Sequence, residues 1–275
     1  MLRIARLFVL GLGLSFLAAG ASAQADAAAT EALMKKSGLW QQLAEIPQQM
    51  RAGVEAAAAQ SRPAPDADTV QRLVQAAEHA FSAPALRAAC AATIAAGLDP
   101  RHLPALDAWY DSAAGRALRQ AEEAAAADTT EPAVAVEQGA ALFQALPAPR
   151  RALLDELVRV TGLAEMGADL TIAAAVAMAQ GMASLQDQAA AASPGEQWAA
   201  LQAQRAQMVQ SYRAVSLAMS ARAYAAVPDG ELSQYLRFLA SDAGRHYNAL
   251  GMQALVRAVA DAARTFGRHL PGAST

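Results

Sequence analysis

An internal disulfide is excluded from the outset, because Cys90 is the only cysteine in the chain. A chain with one thiol cannot cross-link itself, so its stability has to come from packing. Lysine is almost missing as well: Lys35 and Lys36 are the only two, and the other cations are arginines spread thinly along the sequence. With no basic stripe and a formal charge of −3, nucleic acid is excluded as a partner. Aromatic residues make up 5% of the chain, and no stretch alternates apolar and polar residues with period two, so a significant sheet is not expected. The four histidines, His79, His102, His246 and His269, show no HExxH, paired-His or His–Cys spacing of the kind that builds a zinc site. Nucleophile elbow, P-loop and dinucleotide fingerprint are all missing too. The sequence therefore predicts no metal, no cofactor and no catalytic set.

What is present in quantity is alanine, together with Leu, Arg, Gln, Glu and Met, which are the strongest helix formers. Apolar residues reach 55%, too many for a disordered chain. Much of that share is Ala, which buries little surface at about 25 cal/mol per Å². The expected core is therefore one of closely packed helices, with Leu, Met and the few aromatics as its larger pieces.

The first 23 residues have the three parts of an export signal in order. Arg3 and Arg6 come first, then an apolar run from Leu7 to Gly20, then the small triplet Ala21-Ser22-Ala23. The run is 14 residues long, short of the roughly 20 that a spanning helix needs. Cleavage near Ala23 would leave a periplasmic or secreted chain with 20 basic and 25 acidic side chains, a formal −5. A second charge-free run, Leu170 to Gln186, is Ala-rich with Thr171, Gln180 and Ser184, and reads as a buried central helix, so no membrane span is expected in the mature chain.

Breaks fall at Arg62 to Asp66, Ser82 to Pro84, Gly97 to Pro100, Asp128 to Pro132, Leu146 to Pro149 and Val227 to Gly230. Each joins Pro or Gly to a turn-favouring polar residue. The segments between them predict about eight or nine helices. One of these starts at Ser193-Pro194-Gly195-Glu196, which has the shape of a capping box, and carries Leu201, Met208, Tyr212, Val215 and Met219 on one face.

The chain also repeats itself. Leu103 to Leu118 (LPALDAWYDSAAGRAL) aligns with Leu232 to Tyr247 (LSQYLRFLASDAGRHY) at an offset of 129, with Trp109 opposite Phe238. Glu31 to Leu39 (EALMKKSGL) aligns with Asp155 to Leu163 (DELVRVTGL) at an offset of 124. Two windows in the same order at nearly one offset predict a duplication. The expected fold is all-α, with two related multi-helix units in tandem. Residues 24–125 form the first unit, 126–150 connect, 151–266 form the second and 267–275 are a tail. The five-residue difference in offset places an insertion in the second unit, near Ser193-Pro194-Gly195. Gly38 and Gly162, each just after a basic helix end, suit C-caps that require a left-handed residue.

At these motifs the chain resembles the exported bacterial family called domain of unknown function 2059, whose members have an aromatic pair, then Ser-Pro, then Gly and a basic residue. Trp109, Tyr110, Ser112, Gly115 and Arg116 carry the first match, and Phe238, Leu239, Ser241, Gly244 and Arg245 the second. Ala113 and Asp242 stand where the family has proline, and Leu239 where it has tyrosine. The resemblance implies helical structure and an export route, and no known activity.

Physical chemistry gives these ten residues mostly a structural role. A serine at such a break can cap the next helix, aromatics can pack across the corner, and glycine permits close backbone approach. The functional alternative is a shared groove in which Arg116 and Arg245 bind an anion or a partner. Cys90 beside Arg87 reads as a small core residue, Glu122-Glu123 as a solvated face, Asp242 and His246 as an exposed pair, and Met166, Met178 and Met182 as core filler. The expected function is a non-enzymatic module that binds another protein or itself. A carrier of an apolar small molecule or lipid in an interhelical cavity is the alternative.

Overall fold

The fold was analysed in a computed structural model that describes residues 27–62, 64–183 and 194–268. Outside that description lie the leader read at 1–23 with its cleavage at Ala23, the insertion read around Ser193, His269, most of the tail, and the side chains of Met178, Met182 and Leu201. All regular structure among the described residues is helical. A short helix over 27–36 is α1. It is followed by α2 (Leu39–Gln60), α3 (Ala67–Ala80), α4 (Ala83–Gly97), α5 (Leu103–Tyr110), α6 (Ala113–Ala126), α7 (Pro132–Ala145), α8 (Ala148–Thr161), α9 (Leu163–Ala183), α10 (Pro194–Ala223), α11 (Asp229–Leu239) and α12 (Asp242–Gly267), with a 3-10 turn at Pro100–His102 before α5.

All six Pro- and Gly-marked breaks coincide with helix ends, yet the helices outnumber the eight or nine expected. Four further boundaries contain no proline. Gly38 and Gly162 divide α1 from α2 and α8 from α9 at φ +81 and +68, the left-handed region in which glycine is under least strain. Ser112 and Ser241 divide α5 from α6 and α11 from α12, each accepting the amide of the glycine three residues on. Residues 126–150, read as a connection, are largely the helix α7.

The core is organised around α12, which lies chiefly against α9 and α4. Ala254, Ala258 and Ala263 of α12 are fully or almost fully buried beside Phe81, Leu86, Cys90 and Ile94. Small side chains on one helix admit larger ones from its neighbours, which is how an Ala-rich chain still fills its interior. Cys90 is a buried free thiol in this cluster, as expected of a small apolar residue. A second cluster, built on Leu118, Leu154, Leu157, Tyr224, Leu232 and Leu239, fills the space among α6, α8, α10 and α11.

The apolar stripe read on α10 is buried only in part: Met208 and Tyr212 are half-buried, Tyr212 against Gly167 of α9, and the stripe turns outward further along. Val215 and Met219 are 39% and 38% exposed, while Ala218 and Ala221 are buried. The reason is steric: α7 crosses so closely that a Cβ on Gly139 would sit 2.3 Å from the Ala218 carbonyl oxygen. Only small residues fit that crossing, and the bulky ones are left outside. The described part of the Leu170 run is a half-buried portion of α9. Another stretch, Ala67–Gly97, is long and apolar enough to cross a membrane by length and composition. Here it forms α3 and α4, with Leu86, Cys90 and Ile94 in the core.

Candidate functional site

The two motif corners have the same geometry. Ser112 (φ −73, ψ 161) and Ser241 (φ −70, ψ 160) occupy the N-caps. Their hydroxyls accept from the amides of Gly115 at 2.9 Å and Gly244 at 3.1 Å. Preceding each corner, the Ser112 and Ser241 amides donate to the carbonyls of Trp109 and Phe238. Those carbonyls press on the glycines: a Cβ on Gly115 would lie 2.2 Å from the Trp109 oxygen, and one on Gly244 2.0 Å from the Phe238 oxygen. Arg116 and Arg245 are exposed, and each guanidinium folds back to donate to its own corner, at the carbonyls of Asp111 and Ala240. Each arginine therefore braces its own corner, and Arg245 also pairs with Asp242.

The corners meet through their aromatic residues. Trp109 stacks on Phe238 with ring centroids 4.7 Å apart and planes within 8°, and on Tyr235 at 5.7 Å and 5°. Tyr110 meets Phe238 and Tyr247 edge-on at 5.8 and 6.2 Å. Tyr247 closes the series with a 2.9 Å hydrogen bond to the Ser37 hydroxyl. Trp109, Tyr110 and Phe238 are partly buried and Leu239 is buried. The motif aromatics are therefore packing elements at the corners, and some of them also form a wall.

That wall belongs to a half-open chamber of about 230 Å³ bordered by α2, α5, α8, α9, α11 and α12. Four of the chain's five tyrosines, Tyr110, Tyr224, Tyr235 and Tyr247, line it together with Phe238 and Leu239. Leu157, Leu163, Met166, Met252 and Leu255 supply the aliphatic surface, and Ser37, Gln42, Thr161 and Asn248 the polar points. Among the described residues no charged side chain lines it. Its volume exceeds the roughly 150 Å³ of an apolar cavity able to take up benzene. Burial pushes the Tyr247 hydroxyl up to about 12 and also raises those of Tyr110, Tyr224 and Tyr235, so all four remain neutral hydrogen-bonding groups at physiological pH.

Ser37 and Gln42 also line a larger cavity of about 930 Å³ between α2 and α6. Trp40, Gln41, Glu45, Gln49, Arg119, Glu122 and Glu123 form its walls. Glu122 accepts a 2.6 Å hydrogen bond from the Tyr224 hydroxyl. Burial raises its carboxyl above the usual glutamate value, against the opposing pull of that bond. Adjacent Glu123 faces solvent, paired with Arg119 at 2.6 Å. Reading both as a solvated face was right for Glu123 and wrong for Glu122. Gly115, Leu118 and Glu122 are spaced three and four apart, which puts Glu122 on the buried face of α6.

No family model, no curated protein and no solved structure matches this chain. Function has to be argued from the site. Elsewhere the other candidate groups are engaged locally. Asp242 pairs with Arg245 and not with His246. His246 Nε2 lies 3.0 Å from the Gly97 carbonyl and 3.3 Å from the Asp99 amide, with its ring 5.0 Å from that of His102. Among the described residues no three His, Cys, Asp or Glu side chains come together as a metal site would require. Met166, read as core filler, lies on the chamber wall, and Arg87 stacks on Trp40 at 4.5 Å instead of activating Cys90.

Proposed function

We propose that this is an exported, non-enzymatic helical protein that carries an apolar small molecule in the chamber between its two corners. The observation that carries this reading is the convergence of four tyrosines with Leu and Met side chains on one uncharged interior space. Apolar walls with a few convergent polar groups are the usual make-up of a small-molecule site. Native mass spectrometry of the protein purified from its host tests this directly. The expected result is a bound species of small-molecule mass that denaturation releases. A ligand-free spectrum, together with no uptake of a neutral aromatic probe such as 4-phenylbutan-1-ol, would rule the carrier out.

We further infer that the fold is a tandem duplication, and that the resemblance to the domain of unknown function 2059 family extends to both copies. Three features support this: the matching corner geometry, the left-handed glycines at equivalent positions 38 and 162, and the contact between Trp109 and Phe238. Positions 129 apart touching each other is the expected behaviour at a two-fold axis relating similar units. On this reading α10 corresponds to α3 and α4 together, and α12 is a lengthened counterpart of α6.

Binding to another protein, or to a second copy, is the second reading. Its support is the exposure of Val134 and Leu142 on α7 and of Val215 and Met219 on α10, between 38% and 45% each. Light scattering across a hundredfold concentration range would detect self-association. A constant monomer mass would remove that half of the reading.

A further inference from the structure

We propose that the natural ligand is an organic ammonium ion, its apolar or aromatic body in the tyrosine chamber and its cationic head at the Glu122–Tyr224 pair. This rests on the carrier reading above and adds the sign of the ligand's charge.

The aromatic faces come first. Tyr110, Tyr224, Tyr235, Tyr247 and Phe238 all border the chamber and supply aromatic surface for the ligand's body, and Tyr224 reaches the head position through its hydrogen bond to Glu122. An anionic ligand would find no positive side chain among the described residues of that lining. Charge at the mouth points the same way. Among the described residues Glu122 has one hydrogen bond, from Tyr224, and no ion pair. The nearest cation, Arg119, is committed to Glu123 at 2.6 Å. Glu45, on the opposite wall of the outer cavity, has no ion pair among the described residues either. Lys35, also on that wall, is held by Glu31 at 2.6 Å and lies over the Trp40 ring. The cations at the entrance are thus already neutralised, while two carboxylates are not.

The lining is shared. Ser37 and Gln42 border both cavities, and the Tyr224–Glu122 hydrogen bond spans from the inner lining to the outer one. The two cavities are therefore adjacent, and the ligand sets its head at Glu122 and its body beyond Ser37 and Gln42 in the chamber. Gln41, Gln42 and Gln49 offer amide oxygens to the remaining ammonium protons. A cation beside a desolvated carboxylate offsets the cost of burying its charge.

The test uses a charge series on one skeleton: 4-phenylbutylamine, 4-phenylbutan-1-ol and 4-phenylbutanoate, titrated into the full-length protein at pH 7.5 by calorimetry. The amine is expected to bind at least about tenfold more tightly than the alcohol, and the carboxylate not measurably. E122Q should bring the amine to within about twofold of the alcohol, both measured on that variant. D261N, which removes the same charge from the far end of α12, should change neither. If amine and alcohol bind equally, or the carboxylate binds best, the ammonium assignment is overturned and the carrier reading survives. If no member of the series binds, the carrier reading falls and takes this one with it. The series on the unaltered protein decides the matter even if E122Q fails to fold.

Discussion

Replacing Gly115 or Gly244 with alanine is the sharpest probe of the corners. In most helices this exchange is favourable by roughly 0.5–1 kcal/mol, because alanine loses less backbone entropy on folding. Here the new methyl carbon would sit 2.2 Å from the Trp109 carbonyl oxygen, or 2.0 Å from that of Phe238. Both obstacles are backbone atoms, so relief requires the corner itself to open. Opening it weakens the serine cap, worth about 1 kcal/mol, and the Trp109–Phe238 stack, worth about 0.5–1.5 kcal/mol. Overpacking that remains adds about 1–3 kcal/mol. A net loss of about 3 kcal/mol is expected for each variant, which for a chain of this size lowers the melting temperature by about 6–12 °C. Gly53 supplies the control, because it is exposed in α2 with nothing within 4 Å of its would-be Cβ. G53A should leave the melt unchanged or raise it slightly. Circular dichroism melts of the three variants decide the issue. If G115A and G244A melt within 1 °C of the parent, the tight-corner account is wrong.

Two further outcomes follow from burial. The Glu122 carboxyl is raised first by desolvation and then by the charge of Glu123, against the hydrogen bond from Tyr224 and the attraction of Arg119. The folded protein therefore holds that proton more tightly than the unfolded chain, and stability is lost as pH rises from the ordinary glutamate range through the raised value. E122Q removes the effect, so it should gain stability relative to the parent between pH 4 and pH 7. A difference in melting temperature that is flat across that range would contradict the assignment. For Cys90, fully buried with its thiol pushed up to about 11, labelling by a disulfide reagent at pH 7.5 should be limited by unfolding and should accelerate in urea. Reaction within seconds in native buffer would show that the thiol is accessible.

Most of what was legible in the sequence was local. Helix rests on propensity and on the period of apolar residues, and breaks rest on Pro, Gly and capping side chains, all of which act within a few residues. That is why all six Pro- and Gly-marked boundaries coincide with helix ends, and why Gly38 and Gly162 could be read as left-handed caps before any coordinates. Ser112 and Ser241 were recognisable as caps for the same reason. The α10 stripe shows the limit of such reading. Its period correctly marks a helix, but which face is buried depended on α7, whose Gly139 admits only Ala218 at the crossing. Glu122 shows the same limit from the other side, since adjacent glutamates look alike until the chain folds one toward Tyr224 and leaves the other in solvent.

By itself, then, the sequence determined the all-helical character, the capped corners and the unreactive cysteine, because each depends on interactions between near neighbours or on composition. Tertiary structure alone decided that Trp109 and Phe238 stack on each other and that α10 leaves Val215 and Met219 outside. It also decided that tyrosines from three helices and a turn share one chamber beside Glu122, a carboxylate with no ion pair among the described residues. Tyr110, Tyr224, Tyr235 and Tyr247 come from α5, the turn after α10, α11 and α12, and no periodicity links them. Only the packing of those helices brings their rings within reach, and that packing depends on side-chain volumes far apart in the chain.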